Sequence, residues 1–422
     1  QSIPRVQQHV SFGVTLDNWT VNSGTLADST TGGPVISRIP LPWATVVNNL
    51  TVISHDPART SDAVVTLKKN GVATALTATL PFISDGPVTD AVNSVSFAEF
   101  DDFQYVVSSG GGLSPGWTLG WTLDADQAGN IFGVSAGGGG GYPVNIGGQA
   151  GALGNGVWQA YDHAAGYTRS VTYSICATPG NLTKIVTKCF DAPQGFTPTV
   201  PIPGGSTWIV YIIKNGVRQD GSGGTVDTRL TIVAGSTPGS TASATFSLPL
   251  VKGDHVEVAY YRTGATSGFS EPTFGVGLGF IPTTDGMFML TGGSNAVIAT
   301  PTGYRWVESP QVLTDELLAM VPIGPSGLIG RGLYIEAVAP GSGDSSIHTI
   351  QQNAGPTAIV VTLNDFETTG LIEDQFVEYV DGDTIDLRVD NGDFTHWGME
   401  VSVEGEGPPP ENGTIIVRKV CL

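Results

Sequence analysis

The chain has 422 residues, including 58 glycines and 27 prolines, and 18 Lys+Arg against 38 Asp+Glu give a formal net charge of −20. The glycines lack the three-residue period of collagen, and no run of about 18 apolar residues is free of Gly, Pro or charge, so a membrane-spanning helix is excluded. No cationic cluster exceeds the pair Lys68-Lys69, which argues against a nucleic-acid surface, while 40% hydrophobic residues suffice for several buried cores.

In chain order the sequence reads as strands punctuated by turns. Ser11–Thr15 is an entry strand, and Val64–Lys69 is an apolar run that ends in Asn70-Gly71. Asn-Gly after such a run signals a tight hairpin, because both residues take positive φ cheaply. Phe100-Asp101 then launches Phe103, Tyr105 and Val107, the period-2 alternation of a half-buried strand. Gly116–Trp121 closes this stretch, and Asp124–Gly129 reads as a linker.

The same order recurs twice. Ile131–Ser135 enters, Trp208–Lys214 ends in Asn215-Gly216, Gly253-Asp254 launches Val256, Val258 and Tyr260, and Phe274–Phe280 closes. After a second short linker at Pro282–Gly286, Met287–Thr291 enters. Ile347–Gln352 then ends in Asn353-Ala354, Gly382-Asp383 launches Ile385, Leu387 and Val389, and Trp397–Val401 closes. Four anchors in one order, three times over, indicate an internal repeat. The units are 1–128, 129–284 and 285–422, the last ending in a tail that contains Pro408-Pro409-Pro410. With Ala354 in place of Gly, the third hairpin is expected to use a different turn type. Thr314–Met320 is the one segment that reads as a short helix, with Thr314 as its cap. About eight short strands per unit predict an all-β protein of three tandem antiparallel β-sandwiches.

Few residues suggest chemistry. The six histidines are scattered, with none at i, i+2 or i, i+4 from another, and no nucleophile elbow stands in its strand–turn–helix context, so the chain is not expected to be an enzyme. Asp124, Asp126 and Asn130 form a D-x-D-x-x-x-N stretch that either is a solvated turn or holds a structural Ca²⁺ through hard oxygen ligands; no other cofactor is expected. Asp381, Asp383, Asp386, Asp390 and Asp393 make a second acidic stretch, with Asp386 expected on the solvent face of its strand. Cys176 and Cys189 either close a small disulfide loop or are buried free thiols, and Cys421 is expected to be free. Trp19, Trp43 and Trp158 lie near turn-rich segments. They serve either as core and interface or as exposed platforms for a glycan.

The Asn-Gly hairpin, the acidic turn before an alternating strand and the Gly/aromatic closing strand together resemble the C1q/TNF-like jelly roll. The turn anchors that carry the resemblance are Asn70, Gly71 and Asp101, then Asn215, Gly216 and Asp254, then Asn353 and Asp383. Domains of this kind form tight trimers, and tandem copies look like decoration, head-fibre or spike proteins of tailed bacteriophages. The resemblance implies a homotrimer of chains on a virion surface or in another extracellular setting, joined by apolar strand faces and Gly-lined contacts; the short linkers also permit one chain to arrange its three units as a pseudo-trimer. Its partners would be a major capsid protein or other virion proteins, with no nucleic acid. The alternative is an extracellular adhesin or lectin-like protein that grips a host-surface glycan through Trp19 or Trp158.

Overall fold

The computed structural model describes residues 6–15, 39–54, 61–84, 86–109, 118–127, 130–134, 174–190, 207–232, 239–263, 273–284, 287–294, 302–305, 312–313, 320–323, 328–338, 340–341, 343–380, 382–392 and 395–403. Every element among them is a β-strand, and every ladder is antiparallel.

The strands fall into three sets. The first holds β1 (Val6–Thr15), β2 (Ile39–Pro40), β3 (Thr45–Ser54), β4 (Ala63–Lys69), β5 (Val72–Leu80), β6 (Val88–Phe97), β7 (Asp102–Ser109) and β8 (Thr118–Gln127). The second holds β9 (Asn130–Val134), β10 (Ser174–Ile175), β11 (Gly180–Phe190), β12 (Thr207–Lys214), β13 (Val217–Gln219), β14 (Leu230–Ile232), β15 (Thr241–Leu250), β16 (His255–Thr263) and β17 (Thr273–Pro282). The third holds β18 (Met287–Ser294), β19 (Thr302–Arg305), β20 (Val312–Leu313), β21 (Val321–Pro322), β22 (Leu328–Ala337), β23 (Ser346–Gln352), β24 (Gly355–Leu363), β25 (Thr369–Tyr379), β26 (Thr384–Asp390) and β27 (Thr395–Val403). Among the described strands, no ladder runs from one set to another.

Each set forms two sheets with one winding. The first set has the orders β1-β8-β3-β6 and β2-β7-β4-β5. The second repeats them as β9-β17-β11-β15 and β10-β16-β12-β13, with β14 also on β12. The third repeats them as β18-β27-β22-β25 and β19-β26-β23-β24, with β21 also on β26 and β20 on the outer edge of β19. The fifth strand of the second set is therefore broken into β13 and β14, and the second strand of the third set into β19 and β21.

Alternation seals the space between the paired sheets. In the third set Ile385, Leu387 and Val389 of β26 face Trp397, Met399 and Val401 of β27, all fully buried. In the second set Val276, Leu278 and Phe280 of β17 pack with Val210 and Ile212 of β12. At about 25 cal/mol per Å² of apolar area, each such side chain contributes roughly 1.5–3 kcal/mol. Asp386 departs from expectation. It lies on the outer face of β26, opposite Gln351 of β23, but is fully buried there.

The third hairpin also departs from expectation. Asn70 and Gly71 stand at φ 51° and 78°, Asn215 and Gly216 at 51° and 76°, and Asn353 and Ala354 at 54° and 59°. All three are the same two-residue turn with positive φ at both positions. Ala354 keeps the turn type and carries the left-handed strain that Gly avoids. Phe100 does the same at φ 66°, where Gly253 and Gly382 stand at 85° and 90°.

Candidate functional site: the clamps and the joints

Each hairpin is tied to the acidic turn by one repeated hydrogen-bond set. Asn70 Nδ2 donates to Asp101 Oδ1 at 2.5 Å, Asn215 Nδ2 to Asp254 Oδ1 at 2.6 Å, and Asn353 Nδ2 to Asp383 Oδ1 at 2.6 Å. The other amide atom, Oδ1, accepts from the backbone N–H of Asp102, His255 and Thr384 in turn. The second carboxylate oxygen accepts from the N–H of Ala98, Val251 and Val380. A preceding side chain completes each clamp: Lys69 at 2.8 Å, Lys214 at 2.9 Å and Gln352 at 2.6 Å from that carboxylate. The same three side chains also donate to the backbone oxygens of Ser96, Pro249 and Glu378. Burial alone would raise Asp101 and Asp254. The cations and N–H donors outweigh it and hold both below the ordinary carboxylate range.

Beside each clamp, a two-residue strand rests on the next set. β2 touches β17, β11 and β9; β10 touches β27 and β18; β21 touches β8, β1 and β3. The three joints close a ring within one chain, and β1 also meets β9 and β18.

Glycine makes the close approach possible. A Cβ on Gly277 would collide with the Pro40 carbonyl oxygen, and one on Gly279 with the Trp43 ring. At the next joint a Cβ on Gly398 would stand 2.9 Å from the Ile175 carbonyl oxygen. In the ladders Gly277 stands opposite Gly133 and Gly398 opposite Thr291.

Charge crosses the first two joints. Lys188 of β11 lies 2.7 Å from the fully buried carboxylate of Asp102 and also donates to Asn70 Oδ1 and to the Phe100 backbone oxygen. Lys184 lies 2.7 Å from Glu99. At the second joint His255 Nε2 pairs with the Glu336 carboxylate, and Lys252 lies 2.9 Å from Glu373 and 3.5 Å from Glu400. Burial is the largest influence on Lys252 and would lower it, but Glu373 and Glu400 together push it up. Burial raises Glu400 against the pull of Lys252 and Arg331. Met289 of β18 sits in the core of the second set, where its sulfur accepts from the Ala177 N–H at 3.3 Å. At the third joint the ring of Pro87 lies close against Gly382.

The other candidates from the sequence lie elsewhere. Cys176 and Cys189 are free thiols, so the disulfide reading is corrected. Cys176 hydrogen-bonds beside the end of β15, to Asp254 and Gly253, while Cys189 bonds to Ser240 just before its start. Cys189 stands nine positions beyond Gly180 along β11, a span of about 30 Å that no disulfide bridges. Burial pushes Cys176 to about 12 and Cys189 to about 11. Asp124 and Asp126 belong to β8 and Asn130 begins β9, so the D-x-D stretch is strand where a linker loop was expected. Among the described residues, no group of three or more His, Cys, Asp or Glu is placed to hold a metal ion. Trp19, Trp158, the glycine run at 137–141, Asp381, Asp393 and the helix expected at 314–319 lie outside the described residues. Trp43 is half-buried against Gly279 at the first joint. The cross-joint ion pairs had no signal in the sequence, since their members lie far apart along the chain.

No protein-family model matches the chain, and no curated protein matches it. Among solved structures, it aligns with a chain from work on the triple jelly roll fold and turret assembly in an archaeal virus, at 12% identity over 93% of this chain and 98% of that one, with a TM-score of 0.18. A chain from the atomic structure of Sulfolobus turreted icosahedral virus aligns at 12% identity over 93% of this chain and all of that one, with a TM-score of 0.16. At these TM-scores neither superposition carries an argument about this chain.

Proposed function

We propose that the chain is a non-enzymatic structural protein of a virion surface. In this reading three C1q/TNF-like jelly-roll domains, residues 1–128, 129–284 and 285–422, stand in one chain where a homotrimer would use three chains. The observation that supports it best is the ring of joints, in which the second strand of each set rests on the face of the next. The strand order is the second support. In every set the first, eighth, third and sixth positions form one sheet, and the second, seventh, fourth and fifth the other. That winding is the one the resemblance implies. A block closed on itself and tied by clamps at each turn is suited to bearing load and displaying loops, with a major capsid protein or another virion protein beneath it.

Particles purified on a density gradient test this reading. The chain is expected to band with capsids in a fixed copy number and to leave a broad polysaccharide panel intact. Recovery only in the particle-free fraction, or turnover of any panel member, overturns it.

A further inference from the structure

We infer that the joints are addressed by charge, so that the three sets close only in chain order and do not exchange with those of a second copy. This rests on the three-domain arrangement proposed above but not on its location at a virion. The argument starts from equivalent places. Asp102, His255 and Thr384 each follow the clamp aspartate, and each holds the same place beside the resting strand, opposite Pro40, Ile175 and Pro322. On the receiving faces Val186 pairs with Gly277 and Tyr334 with Gly398, so Lys188 and Glu336, two residues further on, are counterparts. Asp102 against Lys188 at one joint is therefore replaced by His255 against Glu336 at the next, with donor and acceptor exchanged.

A second pair of places repeats the exchange. Glu99 and Lys252 each stand two residues before the clamp aspartate. Glu99 reaches Lys184, while Lys252 reaches Glu373 and Glu400. The first edge is thus acidic and meets a basic face; the second edge carries cation and donor and meets an acidic face. At the third joint Thr384 is neutral, and Pro87 lies close against Gly382.

Exchanged partners would bury like against like. The first edge on the third face would set Asp102 beside Glu336. The second edge on the second face of another copy would set Lys252 and His255 beside Lys184 and Lys188. With Asp102 fully buried, solvent cannot screen such a mismatch. Unpaired like charge is a recognised device for rejecting wrong partners.

The test uses the full chain and two variants. Wild type is expected to have the mass of one chain, 43.7 kDa, at every concentration. The double variant Lys184→Glu, Lys188→Glu turns the second face acidic. Its first joint should loosen, and its second edge should now accept the second face of another copy. A mass that rises with concentration and a clear loss in melting temperature are expected. Adding Glu99→Lys and Asp102→Lys should restore the single-chain mass and recover at least half of that loss. A double variant indistinguishable from wild type, a four-fold variant no better than the double, or a wild type that is itself a trimer would each overturn the inference. If the double variant does not fold, the four-fold variant alone decides.

Discussion

Lys188 and Asp102 meet at 2.7 Å across the first joint, with the Asp102 side chain fully buried and only 14% of the Lys188 side chain exposed. Removing the lysine leaves a carboxylate out of water and strips donors from Asn70 Oδ1 and the Phe100 carbonyl. Breaking such a pair costs about 3–5 kcal/mol. Lys188→Met should lower the unfolding free energy by about that much in denaturant titration. Lys252→Met should cost about 1 kcal/mol, because Glu373 is more than half exposed.

The joint glycines give a steric counterpart. Gly277→Ala should force Pro40 away and cost at least about 2 kcal/mol, since the collision is with backbone that cannot rotate aside. Gly223→Ala, whose added Cβ would find only the Arg218 carbonyl oxygen at 3.7 Å, should change stability by less than about 0.5 kcal/mol. Thermal melts of the two variants separate joint packing from a general penalty on replacing glycine.

Strain at the third hairpin can be relieved. Ala354 stands at φ 59°, a region that costs an L-residue about 1–2 kcal/mol. Ala354→Gly should stabilise the protein by about 0.5–1 kcal/mol, the gain being reduced by the greater freedom of glycine in the unfolded chain. Gly216→Ala should be destabilising by a similar amount. Opposite signs in one denaturation series are the expected result.

How much of this was legible in the sequence depended on the range of the interaction. Turn chemistry is local, so Asn70, Asn215 and Asn353 and the acids Asp101, Asp254 and Asp383 could be found from type and spacing; that each Asn bonds to its Asp could not. Alternation places Ile385, Leu387 and Val389 on one face, but a shift of two residues preserves every face, so alternation alone leaves the pairing register open. Asp386 looked solvent-facing because period 2 gives only the side of a sheet and cannot tell whether something covers it. Two cysteines 13 positions apart suggest a loop, but most of the stretch between them is the extended strand β11, which carries Cys189 far from Cys176.

Acid should weaken the clamps. Asp101 and Asp254 titrate lower in the folded protein than in the unfolded chain, so their contribution is present above the ordinary carboxylate range and lost as pH falls through the lowered folded value. Melting temperature should therefore drop steeply below about pH 4. Asp254→Asn should cost about 1–3 kcal/mol at neutral pH and flatten that drop. Glu400 has the opposite sign: its raised value means that the fold favours the protonated acid, and this support is lost as pH rises through the folded value. Glu400→Gln should lose less stability at pH 7 than at pH 4.

The thiols should be silent until unfolding. With burial pushing Cys176 to about 12 and Cys189 to about 11, neither presents appreciable thiolate at pH 8. In a Cys421→Ser background, a thiol reagent should label neither in buffer and both in denaturant. Intact mass without reductant should carry two free thiols.

The ring of joints also bears on how such a molecule can change over generations. In an assembly of identical subunits, every substitution appears in all three places at once, so an acid-for-base exchange must suit each of them simultaneously. With the copies fused in one gene, Asp102 and His255 can drift apart while Lys188 and Glu336 follow, each joint finding its own solution. Fusion thereby frees the outward loops as well, and one protein can offer three different faces where a symmetric one repeats a single face.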